Sequence, residues 1–246
     1  MSRLAAIFRR VLPQDCALCD AAADGCLCAA CRADLPFQQR LGCPRCNAPV
    51  ADFLLCGKCI AEPPHFDRTI SAFRYAYPLD RLVQAYKFRA HLSLLPLFAD
   101  ALIHAIQQHD SQPLPDLVLP LPLAPKRLAE RGFNQSAVLA EKIASRLAVK
   151  FESRGMLRLR ETPPQSGLNR EARLKNVRGA FDCAKPLAGM RVAIVDDVMT
   201  TGATLSEAAR ALKRAGAKEV SAWVIARAMF DRDESVAATQ TTTRRA

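Results

Sequence analysis

From residue 66 onward, apolar positions along the chain follow two alternating patterns. Short continuous apolar runs bounded by turn residues are typical of buried strands, whereas apolar residues that recur every three or four positions are typical of helices with one buried face. The runs that predict strands are "TISAFRYAY" (69–77), "DLVLPLPL" (116–123), "GMLRLR" (155–160), "MRVAIV" (190–195) and "EVSAWVIARA" (219–228).

The helical pattern fills segments between these strands. It predicts helices in "LDRLVQAYKF" (79–88), "LSLLPLFADALIHAIQQ" (92–108), "FNQSAVLAEKIASRLAV" (133–149) and "TLSEAARALKRAG" (204–216). We expect Pro96 to start or bend the second helix and Gly216 to end the last one. Alternation of strand and helix predicts an α/β fold with a parallel sheet covered on both faces, and ligands bind such sheets past the carboxyl ends of the strands.

The first 65 residues show little periodicity, and the break "EPPHF" (62–66) separates them from the α/β pattern. We therefore predict a small module over 1–65, an α/β domain over 66–232 and a disordered polar tail over 233–246. The opening "MSRLAAIFRRVL" is basic and amphipathic, which predicts a short surface helix, with a role at a membrane surface as the weaker alternative. Its apolar part is too short for a signal sequence. Since no apolar run is long enough for a transmembrane segment, a cytoplasmic location is expected.

Nine of the ten cysteines fall within the first 59 residues, and eight of these form four C-x-x-C pairs. In a cytosolic chain this crowding favours metal binding over disulfides, and a redox C-x-x-C motif is typically single. Each pair forms a knuckle whose thiolates point at one centre, so two pairs complete a tetrahedral zinc site. The predicted ligands of two structural zinc ions are Cys16, Cys19, Cys28, Cys31, Cys43, Cys46, Cys56 and Cys59.

The pairing of these knuckles is less strongly determined than their number. Neighbouring pairs would group residues 16/19/28/31 and 43/46/56/59, while the spacing also allows a crossed arrangement. Cys26 is spare, and Cys183 is predicted to be a small buried residue.

Positive charge is concentrated in one part of the chain. The formal net charge is +11, and residues 122–178 hold 13 basic and 5 acidic side chains. Any single arginine there could simply face solvent, but the block as a whole predicts a polyanionic partner such as phosphate, pyrophosphate or nucleic acid.

The segment "VAIVDDVMTTGAT", from Val192 to Thr204, combines a predicted strand, a polar loop and the start of a helix. Backbone N–H groups of such a loop, together with the unpaired N–H groups that begin the helix, attract an anion. Thr200, Thr201 and Thr204 add hydroxyl donors, and Gly202 lets the backbone approach a ligand closely. The loop therefore predicts a phosphate monoester site.

Asp196 and Asp197 need a different explanation, because carboxylates repel a phosphate. Two adjacent carboxylates can accept hydrogen bonds from vicinal hydroxyls, as on a ribose, and Mg²⁺ prefers such oxygen ligands. A ribose 5-phosphate with a magnesium-bound group at C1 meets both demands. An ordinary turn whose acids cap a helix is the alternative, but it leaves the threonines and the glycine unexplained.

This segment resembles the phosphoribosyl-pyrophosphate loop of the type I phosphoribosyltransferases. The resemblance implies that Asp196 and Asp197 hold the ribose hydroxyls and that residues 200–204 cradle the 5-phosphate. It also implies a reaction in which a nitrogen nucleophile displaces pyrophosphate at C1, with Mg²⁺ bound to the substrate. The loop residues implied in binding are Asp196, Asp197, Val198, Met199, Thr200, Thr201, Gly202, Ala203 and Thr204.

Basic residues after the strand at 116–123 are candidates for the pyrophosphate, because arginine contacts phosphate groups in a bidentate way. They lie in "LPLAPKRLAERGFNQS" and are Lys126, Arg127 and Arg131. The aperiodic basic segment 158–178 is predicted to be a mobile lid that excludes water from the reacting centre. Its arginines include Arg158, Arg170, Arg173 and Arg178.

A second resemblance covers nearly the whole chain. The order of "YKF" (86–88), "RGFNQS" (131–136), Gln165, Arg173, Asn176 and the acidic loop, behind cysteine pairs, is similar to the ComF family of competence-associated predicted amidophosphoribosyltransferases. The resemblance implies that the site is lined or supported by Lys87, Arg127, Arg131, Asn134 and Gln135. It also suggests single-stranded DNA or competence proteins as partners.

The sequence therefore predicts a double zinc ribbon joined to a type I phosphoribosyltransferase-like domain. The leading functional hypothesis is transfer of phosphoribose from phosphoribosyl pyrophosphate to an amine or base, with Asp196, Asp197, Arg127 and Arg131 as catalytic residues. The alternatives are a non-catalytic metabolite sensor or single-stranded-DNA-binding competence factor and, more weakly, a structural scaffold. The acceptor and the oligomeric state, including a homo-oligomer, are left open.

Overall fold

A computed structural model describes residues 14–38, 42–50, 54–108, 113–160 and 177–228. Within these ranges, no helix combines the length and the apolar character that crossing a bilayer requires. The predicted opening helix, the tail from residue 233 and most of the predicted lid lie outside the described residues.

The described elements follow the predicted alternation of strands and helices. The strands are β1 (Gln14–Asp15), β2 (Ala22–Ala23), β3 (Arg68–Arg74), β4 (Leu117–Pro120), β5 (Lys150–Phe151), β6 (Met156–Arg158), β7 (Phe181–Cys183), β8 (Arg191–Met199) and β9 (Glu219–Arg227). The helices are α1 (Ala29–Ala33), α2 (Gly57–Ala61), α3 (Leu79–Phe88), α4 (Leu95–Gln107), α5 (Pro125–Arg131), α6 (Gln135–Leu147) and α7 (Ala203–Arg214).

Local signals explain where several helices begin and end. Pro96 lies in the first turn of α4, where its missing N–H has no helical acceptor to lose. Asn134 caps α6 by accepting a hydrogen bond from the Ser136 N–H at 3.0 Å. Gly216, with φ of +98°, lies just past α7 and permits the left-handed turn that ends it.

The central sheet has the strand order β3-β9-β8-β4-β5, and all of its pairs are parallel. Alternate side chains of β8 point to opposite faces. Ala193 and Val195 pack into a core with α3, α4 and α6, whereas Val192 and Ile194 pack into a core with α7 and the β6–β7 hairpin. The predicted α/β fold, a parallel sheet with helices on both faces, is confirmed.

The predicted extent of β8 was wrong. The apolar run ends at Val195, but β8 continues through the acidic pair to Met199, with Asp196 opposite Val224 and Met199 opposite Arg227 on β9. Backbone pairing does not depend on side-chain polarity, so the ladder continues where the apolar pattern stops. Asp196 and Asp197 therefore stand on a strand that holds them firmly, not on a loop.

The segment that follows the first cysteine group closes the open edge of the sheet. Phe37 forms an isolated antiparallel bridge with Phe73 of β3, and their rings lie 4.7 Å apart. The Gln38 N–H donates to the Ala72 carbonyl at 2.9 Å. Because an uncovered edge strand can pair with other chains, this contact protects β3 and fixes the first ribbon to the domain.

Candidate functional site

A cavity of about 390 Å³ lies past the carboxyl ends of β4 and β8, beside the start of α7. This is the edge of a parallel sheet at which ligands bind. Its walls come from the end of α3, the turn after β4, the arginines of α5, the first turn of α6 and residues 196–205. The predicted residues Lys87, Arg127, Arg131 and Gln135 line it together with the acidic pair and the loop that follows β8.

Asp197 is almost completely buried in this cavity wall, with 5% of its surface exposed. Its Oδ1 lies 2.7 Å from Lys87 Nζ and accepts from the Val198 N–H at 2.6 Å. Its Oδ2 accepts from Gln135 Nε2 at 2.8 Å. The sequence predicted an acid open to ribose hydroxyls, but both oxygens of Asp197 already have protein donors.

Asp196 is half-buried and has a different set of neighbours. Its Oδ1 accepts from Ser136 Oγ at 3.1 Å, in the first turn of α6, where the helix dipole favours an anion. Burial, followed by the charge of Asp197, raises the pKa of Asp196 to about 7, against the opposing effect of Lys87. A cation or a hydroxyl donor in the cavity would stabilise its ionised form.

The 200–204 loop between β8 and α7 contains several backbone N–H groups that could donate to a ligand. Within the described residues, the N–H groups of Thr200, Thr201 and Gly202 have no hydrogen-bond acceptor. Gly202 has φ of +79°, and a Cβ there would lie 2.6 Å from the Met199 side chain. Gly202 provides no capping side chain, although the Ala203 N–H donates to Thr201 Oγ1 at 3.3 Å. The positive end of the α7 dipole at this cavity favours an anion.

Arginines form the opposite wall. Arg127 and Arg131 come from α5, and Arg158 comes from the end of β6. Burial lowers the pKa of Arg131, although Asp197 and Asp196 act in the opposite direction, and its guanidinium lies 4.8 Å from the Phe88 ring centre. Lys126 is exposed on α5 and does not line this cavity.

The eight predicted zinc ligands form two compact groups. Within each group the four Sγ atoms lie within 4.8 Å of one another, and the groups pair neighbouring knuckles: Cys16, Cys19, Cys28 and Cys31 in the first cluster, and Cys43, Cys46, Cys56 and Cys59 in the second. This arrangement resolves the pairing that the spacing left open.

The sulfur geometry fits zinc. A tetrahedron with Zn–S bonds of about 2.3 Å has edges of about 3.8 Å. The Cys19–Cys28 Sγ distance is 3.8 Å and the Cys46–Cys56 distance is 3.6 Å. Burial raises the pKa of Cys16 and Cys43, but backbone N–H groups outweigh it and bring these thiols to about 6 and about 7. In each cluster one thiol therefore favours the thiolate form that zinc binds. Cysteine neighbours and burial raise the pKa of Cys31 and Cys59, so these thiols would lose their protons as the metal binds.

The matches to known proteins agree with these two parts of the chain. Residues 134–243 match the phosphoribosyl transferase domain, and residues 7–60 match the double zinc ribbon domain. The chain is 35% identical over 197 residues to DNA utilization protein YhgH of Salmonella typhi, covering 78% of this chain and 87% of that protein. It is 30% identical over 222 residues to competence protein F of Haemophilus influenzae, covering 82% and 96%. The chain belongs to the ComF family.

Two solved structures are similar to this ComF-family protein over part of its length. The glutamine phosphoribosylpyrophosphate amidotransferase of B. subtilis is 19% identical, with a TM-score of 0.39, over 58% of this chain and 30% of that chain. The adenine phosphoribosyltransferase of Rhodothermus marinus is 22% identical, with a TM-score of 0.35, over 57% and 70%. The first of these is a much longer protein, of which the ComF-family chain spans less than a third.

Two functional candidates in this ComF-family chain were not identified from sequence. Lys58 of the second ribbon donates to the Thr201 carbonyl at 2.7 Å, and Arg227 at the end of β9 donates to the Met199 carbonyl at 3.1 Å. A charged residue at the carboxyl end of an apolar strand is a signal that could have identified Arg227. Nothing in the local sequence distinguishes Lys58.

Part of the ComF-like pattern, Gln165, Arg173 and Asn176, lies outside the described residues, as does Arg170 of the predicted lid. Arg160 and the carbonyl of Arg178, which flank that segment, are hydrogen-bonded to each other. Both flanks therefore meet at the β6–β7 hairpin, on the side where Arg158 faces the cavity.

Proposed function

We propose that this ComF-family protein binds phosphoribosyl pyrophosphate with Mg²⁺ in the 390 Å³ cavity and transfers phosphoribose to an amine or base. The proposal rests on one observation: paired acids, unpartnered loop amides and cationic side chains all line the same cavity. A phosphorylated pentose with a second phosphate group at C1 requires these three kinds of contact at once.

The 200–204 loop binds the 5-phosphate in this proposal. Its three unpartnered N–H groups and the start of α7 provide donors and a positive field. Asp196 takes the ribose hydroxyls, because it has fewer protein donors than Asp197. Asp197 instead positions Lys87 and Gln135, whose donors lie on its two oxygens.

The pyrophosphate lies against Arg127, Arg131 and Lys87 in this arrangement. Arg127 and Arg131 are separated by one helical turn on α5, so both side chains reach the same face. Their positive charges stabilise the negative charge that develops on the departing group. Lys126 does not line the cavity and is proposed to have a lesser role.

The donor set also fits a magnesium ion carried by the substrate. Asp196 provides carboxylate oxygen at the cavity, and a cation beside it would favour its ionised form, because burial and the charge of Asp197 raise its pKa. When bound, Mg²⁺ neutralises pyrophosphate charge. The side chains of this chain supply the remaining interactions by binding and orienting the two ends of the ligand.

The proposed reaction is a substitution at C1 of the ribose. The acceptor nitrogen forms a bond to C1 while the bond from C1 to the pyrophosphate oxygen breaks, and the bonding electrons leave with pyrophosphate. The nitrogen then loses a proton to solvent. The transition state carries positive charge on the ring, and the negative charge of the acidic pair beside it stabilises that charge.

Calorimetric titration with phosphoribosyl pyrophosphate, with and without Mg²⁺, tests the binding step. We expect saturable binding that Mg²⁺ strengthens and that the double variant Asp196→Asn, Asp197→Asn weakens at least about a hundredfold, since the charged acceptor of the ribose hydroxyls and the carboxylate that positions Lys87 are both lost. Asp116→Asn is the matched control, because Asp116 pairs with Arg191 at the opposite end of β8. Absence of binding to the wild-type protein would contradict the proposal.

A second candidate function is binding of single-stranded DNA, which one exposed aromatic residue favours. Phe88 is 69% exposed and lies beside Arg131 in a second cavity of about 350 Å³ that shares Lys87 and Arg127 with the first. Bases stack on such rings, and cationic side chains contact the nucleic-acid backbone. The names of the YhgH and competence-protein relatives agree with a role in DNA use.

Oligonucleotide binding at several salt concentrations distinguishes this second function. A steep fall in affinity with salt, together with weaker binding by Phe88→Ala, would support it. Release of pyrophosphate on addition of candidate amines or bases would instead identify a transferase.

A further inference from the structure

The second zinc cluster lies directly behind the 200–204 loop. Lys58 is between the ligands Cys56 and Cys59 on α2, and its Nζ donates to the Thr201 carbonyl at 2.7 Å. The contact joins residues 143 positions apart in the sequence. The same cluster contributes Cys46 and Cys59 to a smaller cavity on this side of the loop, lined also by Gly202.

Arg227 makes a second connection between this cluster and the loop. It is 4% exposed, and its Nε donates to the Cys46 carbonyl at 2.9 Å. Its Nη1 donates to the Met199 carbonyl at 3.1 Å and also to the Thr200 carbonyl. Among the described residues no carboxylate pairs with Arg227, so this buried cation is satisfied by carbonyl groups around the loop.

These two cations determine the direction of the loop amides. In a trans peptide the carbonyl of one residue and the N–H of the next point in opposite directions. Carbonyls 199, 200 and 201 are held by Lys58 and Arg227, so the N–H groups of residues 200, 201 and 202 point away from the ribbon. These are the three N–H groups without an acceptor in the described residues, and their residues line the large cavity.

We propose that the second zinc cluster, acting through Lys58 and Arg227, positions the 200–204 loop so that its amides face the ligand cavity. Lys58 and Arg227 are positioning residues and do not contact the ligand. Zinc fixes the knuckle that carries the Cys46 carbonyl and the helix that carries Lys58. Loss of metal from this cluster therefore disorders the loop, whereas loss of metal from the first cluster does not.

The role of the loop as a phosphate site rests on the proposed function, but the order of the loop can be measured without a ligand. The N–H groups of Ala203, Ser206 and Ala228 donate to Thr201 Oγ1, the Gly202 carbonyl and the Met199 carbonyl at 3.3, 2.8 and 2.9 Å. Their hydrogen exchange reports how firmly the loop is held. We choose Lys58→Met as the variant and Arg32→Met, on the corresponding helix of the first ribbon, as its matched control.

In Lys58→Met we expect these three amides to exchange about tenfold faster, because a charged hydrogen bond to the loop is lost. Affinity for ribose 5-phosphate should fall by a similar factor, Lys58→Arg should restore both, and Arg32→Met should match the wild type. Unchanged exchange in Lys58→Met, or equal acceleration in Arg32→Met, would overturn the proposal. Loss of zinc from Lys58→Met would also overturn it, since the effect would then belong to the cluster and not to this contact.

A pair of ligand variants tests the difference between the clusters. Cys56→Ser should accelerate exchange at the same amides, whereas Cys19→Ser should leave them unchanged; equal effects would overturn the proposal. If exchange follows these expectations but the wild-type protein does not bind ribose 5-phosphate or phosphoribosyl pyrophosphate, the positioning role stands and the proposed function fails.

Discussion

The two cysteine clusters have the same ligands and almost the same spacing, but they have different neighbours. The first cluster packs near the edge strand β3, where residues 36–38 pair with the sheet. The second cluster packs against the core that includes Met199 and Leu205, and it contacts the backbone of the 200–204 loop. Equivalent metal sites can therefore have different roles, and the difference lies in what their flanking residues contact.

The two clusters also differ in how deeply their cysteine ligands are buried. Cys19 of the first cluster is exposed, whereas three ligands of the second cluster, Cys43, Cys46 and Cys59, are each less than 5% exposed. The second zinc ion is therefore better shielded from solvent and from competing ligands. We interpret the first cluster as a closure of the sheet edge and the second as a support for the ligand site.

Removal of zinc should produce the largest effect. Structural zinc contributes about 10–16 kcal/mol of apparent binding free energy in small domains, so a chelator should unfold the ribbon segments and lower the melting temperature. Because of the burial difference, zinc should leave the first cluster before the second, as followed by native mass spectrometry of wild type and Cys19→Ser. Simultaneous loss of both ions, or loss from the second cluster first, would show that the burial difference does not determine how firmly the clusters hold zinc.

Lys87→Ala should produce the next largest effect, because it leaves the buried Asp197 carboxylate without its cation. Breaking such a pair costs about 3–5 kcal/mol, and the partial exposure of Lys87 favours the lower end. Lys58→Met on the ribbon side of the loop should cost about 1.5–3 kcal/mol, since it loses a hydrogen bond to a neutral carbonyl. Urea unfolding measures both.

The matched control for Lys87→Ala is the double variant that also carries Asp197→Asn. It should recover much of the lost stability, because no buried charge then remains unpaired. A double variant as unstable as Lys87→Ala would contradict the ion-pair explanation.

The contribution of Asp196, on the cavity side of the loop, to protein stability should depend more strongly on pH than the contribution of Lys58, on the zinc side. Burial and Asp197 raise the pKa of Asp196 from 3.8 to about 7 in the folded protein. Between these values the folded chain keeps a proton that the unfolded chain has lost, so stability should fall as the pH rises from about 4 to about 7 and then level off.

Asp196→Asn should flatten this pH dependence of the urea midpoint, whereas Lys58→Met should keep the wild-type slope. The difference would show that the titrating group lies on the cavity side of the loop. An unchanged slope in Asp196→Asn would contradict this assignment.

Cys26→Ala should produce the smallest effect. Cys26 lies between the ligands of the first cluster in sequence but belongs to neither group of four. The variant should retain two zinc ions per chain and lose about 1 kcal/mol or less, the contribution of one small, partly buried side chain. A fall to one zinc ion per chain would show that the ligand assignment is wrong.

Local patterns predicted the elements and the ligand groups well, because their signals lie within a few residues. The helix at 79–88 has the predicted bounds, and the four C-x-x-C knuckles form the two groups that neighbour pairing predicted. The β6–β7 hairpin was only half predicted, since β7 has three residues and is too short to show a period.

The site was less predictable from sequence, because it depends on the directions of side chains and on contacts between residues that are far apart in the sequence. Lys126 and Arg127 are adjacent in sequence, but on α5 each residue turns the side chain by about 100°, so only Arg127 reaches the cavity. The pairing of Asp197 with Lys87 and of Lys58 with Thr201 arises only when distant segments pack together. No local pattern records such contacts.

A crystal structure of the protein with phosphoribosyl pyrophosphate and Mg²⁺ is the most direct test of the central claim, that the acids and the 200–204 loop form one pocket for a phosphorylated pentose. We expect the 5-phosphate within hydrogen-bond distance of the N–H groups of residues 200–202 and a ribose hydroxyl on Asp196. A ligand bound elsewhere, with Asp196 and the loop amides making no contact to it, would show that they do not form this pocket.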